Sequence, residues 1–267
     1  MLFDIHTERA AQQTLLRITG IPVGVWEENI RRERDYELQD YFVEAMIEEY
    51  GTRQLPKSYV DWEFVYFHVT TSADGCASIR RNGILDLKRA YECGDSELRR
   101  FLDSHGVTID IKKAILIYCG NEYNIYFGKC PWNHESIEYK CWSVGRKFYN
   151  DYTTCGFLSA WDRSPYGGQV HRRPEVLWDL DELLETRLSD EWERTHSAYE
   201  VVAKVSGKNI CYPYDDDASE AEKVMTYVVM AYNEALNGSS ENILLLKNGV
   251  QIPPSDILEV NPLSIWT

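Results

Sequence analysis

The chain is short of basic residues: 28 Lys and Arg stand against 43 Asp and Glu, a formal net charge of −15 over 267 residues. Coating nucleic acid through a general basic field needs Lys and Arg to neutralise phosphates, and this overall field has the wrong sign; a local basic patch stays open. Also missing are G-x-x-x-x-G-K-[ST], a G-x-G-x-x-G after a strand, H-E-x-x-H and G-x-S-x-G. Their absence counts against P-loop, Rossmann, zincin and α/β-hydrolase readings. No apolar stretch approaches the roughly 20 residues of a membrane span. The start, Met-Leu-Phe-Asp-Ile-His-Thr-Glu, has neither the basic nor the apolar region of a signal peptide. Seven cysteines are scattered with no C-x-x-C, an odd number that argues against an oxidised framework. Cys130, His134 and Cys141 fit no common zinc spacing, so no metal is expected. A soluble protein of the reducing cytoplasm is the expectation.

What is present is ample for a core, with 44% hydrophobic and 13% aromatic residues. The length suits one large domain, or one domain with an appendage. The first sixty residues read as helical, with Leu38, Tyr41, Phe42, Ala45 and Met46 at helical spacing and Gly51 as a stop. From Phe64 to Thr70 the residues are β-branched and aromatic, as in a strand. Ser72 is placed to cap a helix that Asn82-Gly83 ends, and a second short helix carries Leu98, Phe101 and Leu102. Strands are expected at 114–119, 123–127, 155–161, 175–180, 199–205, 243–246 and 256–260, and a short helix at 181–188. Ser219-Glu-Ala-Glu222 matches a capping box for a helix ending at Asn237-Gly238. The class is α+β, with short strands interrupted by helices rather than regular βαβ units.

Several pieces occur in a telling order. His68-Val-Thr70 ends a strand, a helix closes at Asn82-Gly83-Ile84-Leu85, and Arg172-Arg173-Pro174-Glu175 follows the glycines of 167–168. Ile252-Pro253-Pro254-Ser-Asp-Ile257 closes the series. Over positions 61 to 260 the chain resembles the ADP-ribosyltransferase clan, in the branch marked by His, Tyr and Glu. That resemblance implies a split, twisted β-sheet core over 61–267 and leaves 1–60 as a helical N-terminal appendage. It also implies NAD as substrate, with a His and a Thr or Ser on the first core strand and a Glu starting a later strand.

The residues agree chemically. Positions i and i+2 of a strand share a face, so His68 and Thr70 project together, and an imidazole with a hydroxyl suits gripping a ribose and a carboxamide. A carboxylate stabilises the oxocarbenium-like charge that develops as the nicotinamide bond breaks, the role the resemblance gives Glu175. Tyr126 and Tyr149 are the aromatics expected to stack nicotinamide. Tyr149 and Tyr152 fall on one helical face if that stretch is helical. Ser159 is expected to line the cleft. Tyr166, with Arg172 and Arg173, sits in or beside a Gly-rich loop suited to contacting an acceptor. Arginine-modifying relatives carry Gln or Glu two residues before the catalytic Glu, and Arg173 stands there instead, which leaves the acceptor open. From Lys129 to Arg173 there are seven basic and four acidic residues, 7 − 4 = +3, a local field suited to a pyrophosphate or a nucleic-acid acceptor.

The expected activity is transfer of ADP-ribose from NAD to a protein or nucleic acid. The alternatives are NAD hydrolysis, or an inactive module that binds ADP-ribose, nucleotide or protein. The resemblance suggests a toxin or defence effector, with an inhibitory, antitoxin-like protein as a possible partner and no membrane.

Overall fold

The computed structural model describes residues 1–30, 39–150, 153–159, 169–212, 217–238 and 242–263. Strand β1 (Leu2–Phe3) leads into helices α1 (Glu8–Thr19), α2 (Val23–Ile30) and α3 (Gln39–Tyr50). Strand β2 (Glu63–Ser72) is followed by short helices α4 (Ala77–Asn82), α5 (Leu87–Glu92) and α6 (Glu97–Ser104). Next come β3 (Thr108–Asp110), β4 (Ile115–Tyr118), β5 (Asn121–Asn124), helix α7 (Ile137–Tyr149) and β6 (Cys155–Ser159). Helices α8 (Glu175–Leu184) and α9 (Leu188–Thr195) precede β7 (Ser197–Ser206) and β8 (Ile210–Cys211). Helix α10 (Glu220–Asn237), β9 (Asn242–Leu246) and β10 (Ile257–Pro262) finish the described chain. The class is α+β. One sheet has the order β10-β7-β2-β6-β9-β8 with β1 added parallel to β2, and an antiparallel sheet has the order β3-β4-β5.

Local chemistry accounts for the element ends. Thr7, Asp86, Ser96 and Ser136 each accept from a backbone N–H three residues on, and the Ser219–Glu222 capping box forms in both directions. The expected strand at 175–180 is a correction: these residues open α8. Val176, Leu177, Leu180, Leu183 and Leu184 are all buried, and their spacing is the helical period, which a six-residue window truncates into an apolar run. The expected short helix at 181–188 is likewise divided. Asp181 belongs to α8, and its carboxylate accepts from the backbone N–H groups of Leu188 (2.6 Å) and Ser189 (2.9 Å) to start α9. Ser72 does accept from the Asp74 and Cys76 amides, but α4 begins only after Cys76, whose φ of 62° lies in the left-handed region.

By packing, the chain forms two compact units. The first comprises the described residues of 1–67, 155–164 and 203–245; the second those of 68–154, 165–202 and 246–267. The described residues of 1–60 fall in the same unit as α10, and the Gln12 side chain donates to the Ala235 carbonyl. In this unit Phe3, Trp62, Phe64 and Tyr227 form one aromatic cluster, with Phe64 and Tyr227 centred 4.9 Å apart. The core of the second unit gathers Tyr91, Leu102, Leu116, Val144, Phe148, Leu177 and Leu180. There α7 approaches the chain after β5 so closely that a Cβ on Gly145 would sit 1.6 Å from the Ile125 carbonyl oxygen.

Candidate functional site

Strand β2 is buried along almost its whole length. After the exposed Glu63, Phe64 to Phe67, Val69, Thr71 and Ser72 are all buried, and only His68 and Thr70 keep partial exposure. Two strand positions two apart share a face, so this break in burial opens one window over an imidazole and a hydroxyl. Both residues belong to the second unit.

The end of β2 is tied to the start of β7. Trp192 Nε1 donates to Thr71 Oγ1 at 2.8 Å, and its indole stacks on His196 at 3.6 Å and 8°. Glu97, at the start of α6, accepts from the amides of Ala73 (2.8 Å) and Asp74 (3.2 Å) and faces His196 Nε2 at 3.9 Å. A Cβ on Gly75 would lie 4.0 Å from the Tyr199 hydroxyl. Because β7 neighbours β2 in the sheet, Glu200 stands on the strand beside the one that carries His68 and Thr70. It lies near the start of β7 and is partly exposed. Sequence reasoning passed over Glu200. The strand at 199–205 is legible in the sequence, but its place beside β2 comes only from the sheet order.

Glu175 is differently placed. It is the first residue of α8, and Lys147 of α7 forms an ion pair with its Oε2. One turn on, burial pushes the Asp179 carboxyl up to about 6, against the opposing pull of Lys147 and Arg146. Asp179 Oδ2 and Arg146 Nε are buried without hydrogen-bond partners among the described residues.

Tyr126 and Tyr149 do come together, edge to face at 5.7 Å. The Tyr149 hydroxyl donates to the Ile111 carbonyl at 2.7 Å, and burial pushes it up to about 12. Tyr126, by contrast, is 59% exposed. Arg172 and Arg173 both bind Glu193, at 2.6 and 2.5 Å, and both donate to Gln169. Arg173 is buried and its guanidinium covers Trp178 at 4.9 Å. Ser159 is buried in the first unit, where it accepts from Asn242 Nδ2 at 2.7 Å. Tyr152, Tyr166 and the glycines of 167–168 lie outside the described residues.

Two of the sequence motifs meet directly. Ile84 and Ile252 exchange backbone hydrogen bonds of 2.9 and 3.0 Å. Gly83, at φ 83°, lets the two segments touch, since a Cβ there would fall 2.0 Å from the Ile252 carbonyl oxygen. Among the described residues no group of three or more His, Cys, Asp or Glu is arranged to hold a metal ion. No protein-family model, curated protein or solved structure matches the chain.

Proposed function

We propose that the protein is an NAD-dependent ADP-ribosyltransferase built on a split-sheet core, with His68 and Thr70 gripping the NAD and Glu200 supplying the carboxylate. The observation that supports this reading is the break in burial at His68 and Thr70, an imidazole and a hydroxyl of a kind suited to gripping a ribose, on one face of an otherwise buried strand. Glu200 takes the carboxylate role expected of Glu175 because it stands on the strand next to the one that carries His68 and Thr70, whereas Glu175 starts helix α8.

In this reading the bond between nicotinamide nitrogen and ribose C1′ breaks, and nicotinamide leaves with the electron pair. The positive charge spreads over C1′ and the ring oxygen, where Glu200 stabilises it. An acceptor nucleophile then bonds to C1′ and releases its proton. Water in the same position yields free ADP-ribose. NAD is thus a substrate, and the chemistry asks for no metal.

Incubating the protein with NAD labelled on the adenylate, with and without cell extract, tests the reading. Label on protein or nucleic acid supports transfer, and free ADP-ribose alone makes the protein a hydrolase. Undiminished NAD in both mixtures contradicts the proposal.

A further inference from the structure

Tyr139, Trp142, Arg146 and Tyr149 recur along α7 at i, i+3, i+7 and i+10, which places them in one stripe along one side of the helix. All four are partly exposed, whereas Cys141, Val144 and Phe148 on another side are buried. Its first half is a chain of contacts. His134 stacks on Tyr139 at 4.3 Å and 15°, Tyr139 meets Trp142 at 5.6 Å, and the Arg146 guanidinium lies over Trp142 at 5.3 Å. Tyr126 closes the far end against Tyr149. Ten residues of helix make it about 15 Å long.

Just before α7, Trp132 is 99% exposed, so its indole contributes nothing to the core. Trp132 precedes His134, the first ring of that chain, by two residues, and a bare indole there is free to stack on a ligand. The local charge also departs from the chain's. From Lys129 to Arg146 three basic residues (Lys129, Lys140, Arg146) stand against Glu135 and Glu138, 3 − 2 = +1, in a chain of −15, while Lys147 is paired with Glu175.

We propose that this stripe is a docking surface for single-stranded nucleic acid. Every base has a π-face, so Trp132, Tyr139 and Trp142 can hold successive bases without reading sequence, while Lys129, Lys140 and Arg146 meet the phosphates. A duplex hides its base faces and cannot use the rings. The surface is independent of the NAD chemistry, and its binding is measured with no NAD present.

The probe is a fluorescent mixed-sequence single-stranded DNA of about 12 nucleotides, within the usual site sizes for such surfaces, followed by anisotropy. The expected result is binding at low salt that weakens steeply as salt rises, and a duplex of the same sequence bound at least tenfold more weakly. Trp142→Ala should weaken single-strand binding about tenfold or more. Trp132→Ala, a fully exposed position whose replacement leaves the fold intact, should weaken it severalfold. Absence of binding at low salt overturns the proposal. So does duplex binding equal to single-strand binding, or unchanged affinity in Trp132→Ala together with folded Trp142→Ala.

Discussion

Two carboxylates one helical turn apart behave oppositely because their surroundings differ. Glu175 is met by Lys147, whereas Asp179 is desolvated and its carboxyl is held up to about 6. A folded-state value above the unfolded one means that the folded protein binds more protons between the two. Ionised Asp179 therefore costs stability, and that cost grows as pH rises from about 4 to 6. Asp179→Asn removes the charge and keeps the shape. It should raise the Tm above pH 7, with the gain shrinking as pH falls toward 4, in thermal melts across that range. Glu175→Gln breaks a pair whose carboxylate is 41% exposed, so solvent already screens much of it. The expected outcome is a stability loss of about 1 kcal/mol or less, with NAD turnover within a few-fold of wild type. A hundredfold loss of turnover in a folded Glu175→Gln protein would return the catalytic role to Glu175.

Helix α7 shows how one small residue places a larger element. A methyl at position 145 would meet the Ile125 carbonyl oxygen at 1.6 Å, and backbone does not yield as a flexible side chain does. Gly145→Ala should push the helix off the chain after β5 despite alanine's better helix propensity, costing on the order of 1–3 kcal/mol in denaturant unfolding. At α10 the opposite logic applies, since Ser219→Ala only removes a cap and should cost about 1 kcal/mol. Where local chemistry sets an element, the sequence was legible. The 219–222 capping box, the β-branched and aromatic run of β2 and the Asn82-Gly83 stop are all realised near the residues that announce them. Residues 175–180 misled because a short apolar run fits a buried strand or the front of a buried helix equally well. Only the recurrence at Leu183 and Leu184, beyond Asp181, separates the two. The candidate site was half legible for a similar reason. His68 and Thr70 are marked by their two-residue spacing, but Glu200 gains meaning only from the sheet order that puts β7 beside β2.

Across the whole chain the cysteines report burial without reference to any function. Cys76 and Cys141 are buried, and desolvation pushes their thiols up to about 12 and about 11. Cys119, Cys130, Cys155 and Cys211 are exposed. A thiolate-directed reagent at pH 8 should therefore label these four rapidly in the native protein and reach Cys76 and Cys141 only on unfolding. Peptide mapping reads the order, and fast native labelling of Cys76 would contradict the packing around α4. Charge is unevenly distributed too: in a chain of net −15, α7 carries Lys140, Arg146 and Lys147 against Glu138. The central claim, cleavage of NAD at the His68–Thr70 face, assigns its charge stabilisation to one carboxylate beside β2. It is tested most directly by the rate of nicotinamide release from NAD by wild type and by Glu200→Gln, with NAD affinity measured alongside. The account predicts a fall of about a hundredfold or more in release with affinity little changed, and near-wild-type release by Glu200→Gln would contradict it.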